Sequence, residues 1–312
     1  MGNNIDLSSL DIAPRVVEQL IAPFMLDRMP RSDPRWRAIE ARLTRRWTKR
    51  ILKRRLLGWL PGIRRDQDYV RASYNTTFAE RPWVETHNPS QPETKPTYAA
   101  WQNDGLVLRR RALARTHLLS IGNAIAAFGA KTVLEVGAGA GMNLFVLASR
   151  FPDTQFTGIE LTETGVGQAK RAQGEHNFPQ LLADYCPWTE IDSSAYRRID
   201  FRQGDATKLP FADGSVDLVI TRQALEQMES VREAALREIA RVARLGAVMC
   251  EPFADFNRDK LRRRYVAAKD YFSLPSEGLR RFGLAPLHIF SGYPQNLQLG
   301  VGVVVAAKAA TP

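Results

Sequence analysis

A glycine-rich turn directly after a buried strand is the feature of this sequence best suited to chemistry. The apolar run 133–136 leads into Gly137, Gly139 and Gly141, and a helical pattern opens beyond them. Glycine lets the backbone pass close to a ligand, because a Cβ at the tight positions would collide with it. The N–H groups that open the following helix also favour an anionic or polar ligand. The turn therefore predicts a site for a nucleotide-like molecule.

The spacing of the glycines narrows the kind of ligand. Dinucleotide sites favour G-x-G-x-x-G, whereas here the third glycine comes one residue early and Met142 occupies the later place. Glu160 ends the second predicted strand, where a carboxylate can accept hydrogen bonds from both ribose hydroxyls of an adenosine. Asp205 follows the third predicted strand and could accept a hydrogen bond from the exocyclic amine of adenine. The set favours an adenosine-containing ligand other than a dinucleotide.

These motifs together resemble the class I S-adenosylmethionine-dependent methyltransferases, and in particular the ubiquinone and menaquinone branch, methyltransferase type 11. The resemblance covers roughly residues 116–308, and its motifs are far more specific in combination than any one of them alone. The motifs that carry it are Glu135-x-Gly137-x-Gly139-x-Gly141, Glu160, Gly204-Asp205-Ala206, Leu209-Pro210-Phe211, Asp217 and Leu225-Glu226-Gln227-Met228. It implies an enzyme that uses S-adenosylmethionine as the methyl donor.

The resemblance also implies a role for each matching residue. The end of the first predicted strand and the glycine turn would hold the methionine portion of the cofactor. The end of the second strand would hold the ribose, and the end of the third strand would hold the adenine. The residues so implied are Glu135, Gly137, Ala138, Gly139 and Gly141 for methionine, Glu160 for ribose, Leu161, Asp205 and Ala206 for adenine, and Arg222, Gln223 and Ala224 beside the sulfonium.

The sequence does not select a catalytic base. Methyl transfer is an in-line displacement at an activated carbon, so placing the nucleophile at about 3 Å supplies much of the rate. A base is needed only if the acceptor is protonated. Gln227 stands where many members of this branch carry His, so that His is not available here. The candidates are His87, Tyr98, His117, Glu226, Glu251, His288 and Tyr293.

The acceptor is predicted to be a small or lipid-like molecule methylated on oxygen, nitrogen or carbon. Strand four ends in Thr221-Arg222-Gln223-Ala224 instead of the Asn/Asp-Pro-Pro-aromatic motif that presents a base amino group, and no Pro-Cys nucleophile is present. Methylation of ribose or of another base in RNA stays open, as does a protein that binds the cofactor without catalysis. The segments 251–256 and 262–272 are expected to form part of the acceptor wall.

Composition indicates a globular protein without metal chemistry. Of 312 residues, 44% are apolar and 25% charged, as is usual for a folded domain. No window approaches the roughly 18 apolar residues of a membrane span, and the N-terminus has no targeting pattern, so we expect a cytoplasmic protein. The two cysteines, Cys186 and Cys250, are not paired in a Cys-x-x-Cys motif, so no metal is expected.

Basic charge is concentrated in the N-terminal third. Residues 1–115 hold 22 Lys/Arg and 12 Asp/Glu, whereas residues 116–312 hold 22 and 21. Trp36, Leu43 and Trp47 recur on one side of a helix whose other faces are rich in Arg and Lys. Three interpretations of residues 31–65 stay open: packing on the catalytic domain, attachment to an anionic membrane surface, and nucleic-acid binding. A homodimer is also open, through the segment 185–188.

The chain divides by composition and hydrophobic pattern into three predicted regions. Residues 1–65 form a basic helical module, 66–105 a Pro-rich connection or lid, and 106–312 the methyltransferase domain. Prolines are expected to deny the connection long helices. In the third region helices alternate with strands, which predicts an α/β fold with a doubly wound, mostly parallel seven-strand sheet and an antiparallel last strand. The predicted strands are 132–136, 155–161, 199–203, 216–221, 247–251, 286–290 and 299–307.

Overall fold

A computed structural model describes residues 7–60, 64–80, 96–175 and 178–309. His87 and the prolines at 82, 89 and 92 lie outside these ranges. The main feature is a seven-stranded sheet in the order β6-β5-β4-β7-β8-β11-β9. Its strands are β4 (Thr132–Val136), β5 (Gln155–Glu160), β6 (Asp200–Gln203), β7 (Val216–Arg222), β8 (Ala243–Glu251), β9 (Leu284–Phe290) and β11 (Gly302–Lys308).

The sheet has the predicted direction of its strands. β4 pairs in parallel with β5 and β7, and the parallel pairing continues to β6 on one side and β8 on the other. β11 lies antiparallel between β8 and β9. Six strands that run in one direction, together with the antiparallel last strand β11, confirm the predicted fold class, and the seven predicted strands all occur within a few residues of their expected limits.

Both faces of the sheet are buried. Side chains alternate along each strand, so that Val133 and Leu218 contribute to one apolar core and Leu134 and Val219 to the other. The first core is covered by helices that include α4, which ends as predicted at Gly129 with a left-handed φ of 59°. The helices are α1 (Pro14–Ile21), α2 (Pro34–Leu57), α3 (Gln67–Glu80), α4 (Arg110–Phe128), α5 (Met142–Arg150), α6 (Glu163–Gly174), α7 (Phe178–Tyr185), α8 (Arg232–Val242) and α9 (Lys260–Ala268).

A second, small sheet joins distant parts of the sequence. Its order is β1-β3-β2-β10, formed by β1 (Met25–Pro30), β2 (Thr97–Trp101), β3 (Asp104–Leu108) and β10 (Gln295–Asn296). Because β1 lies near the N-terminus and β10 near the C-terminus, this sheet connects both ends of the chain beside the main sheet.

The basic helix α2 packs on the rest of the protein through its tryptophans. Trp36 is fully buried and Trp47 nearly so. The Trp36 ring lies over the backbone of Gly105 in β3, where an added Cβ would come within 2.2 Å of the ring. Trp47 contacts Tyr265 of α9, with ring centroids 5.7 Å apart. The apolar stripe of α2 is therefore occupied by protein, as in the first of the three interpretations.

The Pro-rich region contains a helix that the sequence analysis did not expect. Gln67–Glu80 forms α3, fourteen residues long, and precedes the first proline of that region at position 82. The expectation that residues 66–105 lack a long helix is thus wrong for α3. Its neighbour is α6, which it joins through a 2.7 Å hydrogen bond from the Thr164 hydroxyl to the Asn75 side-chain oxygen.

Candidate functional site

The turn after β4 needs its glycines for two separate reasons. Gly137, Gly139 and Gly141 have φ values of 77°, 54° and 88°, in the left-handed region that side chains disfavour. At Gly137 an added Cβ would also lie 2.5 Å from the Cβ of Ala224. At Gly141 it would meet the ring of Phe201 at 2.6 Å. The turn is therefore held tightly against the loop after β7 and the core below it.

Glu160 faces this turn from the end of β5. One carboxylate oxygen accepts a hydrogen bond from the N–H of Gly139 at 3.0 Å. The other accepts from the N–H of Thr162 at 3.0 Å and from its hydroxyl at 2.8 Å. These three donors fix the carboxylate beside the turn, and since a carboxylate has about four acceptor sites, one can still accept a further donor.

Asp205 lies in the turn after β6 and is held from two sides. One oxygen accepts hydrogen bonds from the N–H and hydroxyl of Thr207, both at 2.8 Å. The other accepts from the side-chain amide of Gln67 in α3 at 2.6 Å. Burial raises the pKa of Asp205, but these hydrogen bonds outweigh it and the net direction is downward. Asp205 is therefore an anion that ties α3 to the sheet.

A pocket of about 100 Å³ opens between the turn, the ends of β5 and β6, and α3. The proposed cofactor residues that line it are Gly137, Gly139, Glu160, Leu161, Ala206, Gln223 and Ala224. Those that do not line it are Glu135, Ala138, Gly141, Asp205 and Arg222.

Glu135 lies behind the turn and not in the pocket. It is fully buried and accepts a 2.6 Å hydrogen bond from the side-chain amide of Asn143. The oxygen of that amide accepts in turn from the guanidinium of Arg222 at 3.2 Å. Burial raises the pKa of Glu135 to about 7, against the opposing effect of Asn143. Glu135 thus supports the start of α5 and, through Asn143, the position of Arg222.

A second, larger cavity of about 1070 Å³ adjoins the first. Its walls come from α2, α3, α4, the small sheet and the segment before β11, and they include aromatic and apolar side chains. The two cavities share Tyr74, Phe78 and Gln223. Gln223 has a φ of 53°, a conformation that costs a side chain about 1 kcal/mol or more and is often retained at functional sites.

The structure separates the catalytic candidates. Tyr98, His117, Glu226 and Tyr293 line the larger cavity. Glu251 is fully buried below the loop after β7, where its oxygens accept from the N–H groups of Ala224, Leu225 and Glu226 at 3.0–3.2 Å. His288 lies on β9 and faces Asp11 at 3.2 Å, outside both cavities. His87 lies outside the described residues.

Burial changes the proton affinity of these groups in opposite directions. It lowers the pKa of His117 well below its usual value, with a smaller contribution from Arg222. It raises the pKa of Glu226 to about 7, although Gln227 and nearby cations oppose the change. Burial and the neighbouring Glu226 raise the pKa of Glu251 to about 8. The pKa of Glu226, which lines the larger cavity, thus lies near neutral pH.

The acceptor wall predicted from 251–256 and 262–272 does not line this cavity. Phe253 and Phe272 pack against each other in the second core, with ring centroids 5.2 Å apart. Arg262 lies over the ring of Trp47 at 5.8 Å. That prediction is wrong for this cavity. The two segments pack instead against each other in the second core and against the basic helix α2.

Sequence reasoning missed the contribution of α3. Gln67, Val70, Tyr74 and Phe78 all line the smaller pocket. Their spacing of three and four residues is the signal that could have revealed a helix with one face on the ligand site. The prolines further along obscured it. Arg42 and Arg46 of α2, which line the larger cavity, were also missed because nothing in the sequence indicates which face of α2 meets it.

The fold and the site together define a class of protein. A parallel sheet in the order β6-β5-β4-β7-β8 with antiparallel β11, a glycine turn after its first strand and a carboxylate at the end of the second belong to class I methyltransferase domains. The comparisons with known proteins agree. Residues 134–250 match the family described as "Methyltransferase domain". Residues 134–250 therefore belong to a methyltransferase domain, and the sheet that contains them has the class I strand order.

Relatives with curated names extend this result. A phthiotriol/phenolphthiotriol dimycocerosates methyltransferase of Mycobacterium tuberculosis is 32% identical over 127 residues, which are 41% of this chain and 38% of that protein. A fatty-acid O-methyltransferase of Mycolicibacterium smegmatis is 28% identical over 173 residues, 55% and 50% of the two chains. These matches thus span half or less of each relative's length.

Solved structures show the same fold at low sequence identity. A magnesium protoporphyrin IX methyltransferase from Synechocystis, crystallised with bound S-adenosylhomocysteine, has a TM-score of 0.53 and 15% identity, and covers 78% of this chain and all of its own. The [4+2]-cyclase SpnF has a TM-score of 0.51 and 18% identity, over 78% and 97% of the chains. Since a protein titled a cyclase shares the fold, likeness of fold alone does not decide the reaction.

Proposed function

We propose that this protein transfers a methyl group from S-adenosylmethionine to a small or lipid-like acceptor held in the larger cavity. The observation that carries the proposal is the junction of the two cavities at Tyr74, Phe78 and Gln223. A donor in the smaller pocket and an acceptor in the larger one would meet there. Such proximity is the main requirement of an in-line displacement.

The residues that line the smaller pocket suit the proposed cofactor. The glycine turn is a cradle that a Cβ would fill, and it would hold the methionine portion. Glu160 would accept from the ribose, and Leu161 with Ala206 would contact the adenine. Asp205 lies behind these residues. It would accept a hydrogen bond from the adenine only if Gln67 released the carboxylate oxygen of Asp205 to which it now donates. When bound, the cofactor supplies a methyl group activated by a positively charged sulfur.

The residues of the chain would orient the partners and exclude water. α3 covers the smaller pocket with Val70, Tyr74 and Phe78, and its Gln67 fastens it to Asp205. Gln223 would stand between donor and acceptor, since it borders both cavities. Removing water from this junction strengthens every electrostatic interaction within it.

The walls of the larger cavity favour an amphipathic acceptor. Leu113, Met142 and Val301 provide apolar surface, whereas Arg42 and Arg46 provide positive charge at the side of α2. The names of the relatives, which act on a fatty acid and on phthiotriol or phenolphthiotriol dimycocerosates, support a lipid-like molecule. We therefore propose a long-chain acceptor with a polar or anionic group.

The proposal is tested first by ligand binding and then by transfer. Calorimetric titration is expected to give saturable binding of S-adenosylhomocysteine and none of NAD. Incubation with methyl-labelled S-adenosylmethionine and a cell extract is expected to label the lipid fraction. Label in RNA would favour the nucleic-acid alternative instead. Cofactor binding without label in any fraction would favour the non-catalytic alternative.

A lipid-like acceptor makes contact with a membrane surface a natural extension of this function. Residues 41–65 contain ten basic and no acidic residues. At the end of α2 and just beyond it, four large apolar side chains are exposed, from 39% to 77% of their surface: Leu52, Leu56, Leu57 and Trp59. We call these four residues the apolar tip. Within the described residues, no helix combines the length and apolarity that crossing a bilayer requires.

We propose that the apolar tip and the basic residues around it dock on an anionic membrane. Arg45, Lys49, Lys53 and Arg55 are exposed beside the tip, so charge and apolar surface are presented together, as in interfacial helices. This revises the sequence-based picture, in which Trp36 and Trp47 formed the membrane face. Exposed Leu and Trp would gain from lipid tails but not from RNA phosphates, which favours the membrane over nucleic acid.

A variant of the tip tests the docking surface. L56S/W59S is expected to reduce binding to vesicles containing phosphatidylglycerol by at least about tenfold, because each side chain buried is worth about 1.5–3 kcal/mol. The matched control is L287S/I289S, which removes two exposed apolar residues from β9, 39% and 44% exposed. Sedimentation with vesicles measures both. Equal binding of the two variants would contradict the docking surface, as would salt-sensitive retention of RNA without vesicle binding.

A further inference from the structure

Glu226 is placed where it could act on an acceptor in the larger cavity. It belongs to the short helical turn Leu225–Gln227 after β7, and its side chain lines the cavity next to Gln223. One carboxylate oxygen accepts a 2.7 Å hydrogen bond from the side-chain amide of Gln227. The other, Oε2, is shielded from solvent and has no hydrogen-bond partner among the described residues.

An unpartnered buried carboxylate oxygen is costly, because it loses its bonds to water without replacement. The backbone nevertheless holds it in place, since the N–H of Glu226 donates to Glu251 at 3.2 Å. A donor brought by a ligand would remove the cost. A hydroxyl supplies such a donor, whereas an ionised carboxylic acid does not and would be repelled by Glu226.

We infer that Glu226 is the proton acceptor of the transfer and that the methylated group of the acceptor is a hydroxyl. This inference rests on the proposed function and narrows it. The hydroxyl oxygen would form a bond to the methyl carbon as the bond between that carbon and the sulfonium sulfur breaks, and the electron pair of the broken bond stays on sulfur. The hydroxyl proton passes to Oε2 of Glu226. The products are a methyl ether, S-adenosylhomocysteine and protonated Glu226, which then releases its proton to solvent.

The surroundings of Glu226 suit a base that works near neutral pH. Arg65, Arg222 and Lys269 are cations from several elements that oppose the effect of burial on Glu226. Glu226 in turn raises the pKa of Tyr74, Tyr271 and Glu251, which lie around it. With its pKa at about 7, Glu226 is partly ionised at neutral pH and still basic enough to accept a proton.

Other groups in the cavity are less suited to this role. The pKa of His117 is lowered well below its usual value by burial, so its imidazole is a weak base. Burial raises the pKa of Tyr74, and that of Tyr293 well above its usual value, so both hydroxyls stay protonated. Glu251 accepts three backbone N–H groups and faces away from both cavities.

The product identifies the class of acceptor without knowledge of its structure. The wild-type protein is incubated with methyl-labelled S-adenosylmethionine and a lipid extract of its own cells, and the labelled lipid is treated with alkali. A methyl ether keeps its label in alkali and releases it as labelled iodomethane in hydriodic acid, as expected here, whereas a C-methyl group that keeps its label in both would overturn the inference. An ester that releases labelled methanol would overturn the inference and leave the proposed function standing, as would a labelled amine retained on a cation exchanger. No label at all would count against the proposed function itself.

Variants of Glu226 test its role with the same extract. E226Q is expected to lower kcat by at least about 100-fold, as loss of a general base does. In the wild type, kcat/KM should rise with pH through about 7, whereas E226Q should lose this inflection and E226D should recover part of the rate. The control E229Q changes a carboxylate three residues away that pairs with Arg232. Calorimetry shows whether E226Q still folds and binds S-adenosylhomocysteine.

A merely structural role for Glu226 gives a different pattern. It would reduce cofactor binding or stability together with activity, and the remaining activity would keep the wild-type dependence on pH. E226Q with full cofactor affinity and an unchanged pH profile would overturn the inference, and so would activity equal to that of E229Q.

Discussion

G139D is expected to weaken binding of S-adenosylhomocysteine by at least about 100-fold, equivalent to about 2.7 kcal/mol, while the protein stays folded. Gly139 lies on the wall of the smaller pocket with a φ of 54°, a conformation that Asp tolerates better than most residues. Its N–H donates to Glu160, so the new carboxylate would stand beside an existing one. The side chain would thus add both bulk and like charge at the place proposed for the cofactor.

The comparison with another glycine isolates this effect. Gly167 lies exposed on α6, has no atom within 4 Å of an added Cβ and lies outside both cavities. G167D therefore adds the same charge to the protein without entering the pocket. Calorimetry measures affinity, and thermal unfolding by circular dichroism verifies the fold. If G139D and G167D bound the ligand equally, the turn would not be the cofactor site.

The main sheet could be predicted because its information is local. Strands buried on both faces appear as short apolar runs, as in 132–136 and 216–221, and the intervening segments carry helical periodicity. Gly129 and the turn glycines mark boundaries through backbone conformation alone, with positive φ values at Gly129, Gly137 and Gly141. Alternation of strands and helices then leaves few topologies, and the parallel one is the usual result.

The small sheet could not be predicted in the same way. β10 is only two residues long, and its pairing with Ala99 and Ala100 spans almost two hundred positions. β1 contains Asp27, Arg28 and a terminal proline, a composition that does not favour a strand. Such strands form because partners are brought to them by the rest of the fold, which is information that no local pattern contains.

The residues of the site also fall into those that local sequence predicts and those that it does not. The glycine turn and Glu160 follow from residue types near single strand ends, and the structure brings them into hydrogen-bond contact. The side chains that close the pocket come from α3, and Gln67 reaches Asp205 across 138 positions. Periodicity predicted an apolar face on α2 but not the residues that pack against it. In the structure, Trp36 of this face packs against β3. The glycine turn and Glu160 at the smaller pocket were therefore predictable, and the walls of the larger cavity were not.

Replacement of Glu251 by leucine tests the support of the loop between the two cavities. E251L keeps the approximate volume but leaves the N–H groups of Ala224, Leu225 and Glu226 without their acceptor. Each buried donor left unsatisfied costs about 1–3 kcal/mol, partly offset because a buried carboxylate is no longer present. We expect the free energy of unfolding to fall by about 3 kcal/mol, measured by urea denaturation.

Two opposing effects meet at Glu251, and the variants decide which is larger. Burial disfavours its charge and raises its pKa to about 8, and if this cost dominated, E251L would be neutral or stabilising. Because one carboxylate accepts from three donors, we expect E251L to be destabilising. The stability of E251Q should lie between those of wild type and E251L, because Gln keeps one acceptor oxygen. E277Q, at an exposed glutamate, should stay within about 0.5 kcal/mol of wild type. Because Ala224 also contacts the turn at Gly137, loss of this carboxylate should weaken cofactor binding as well as the fold.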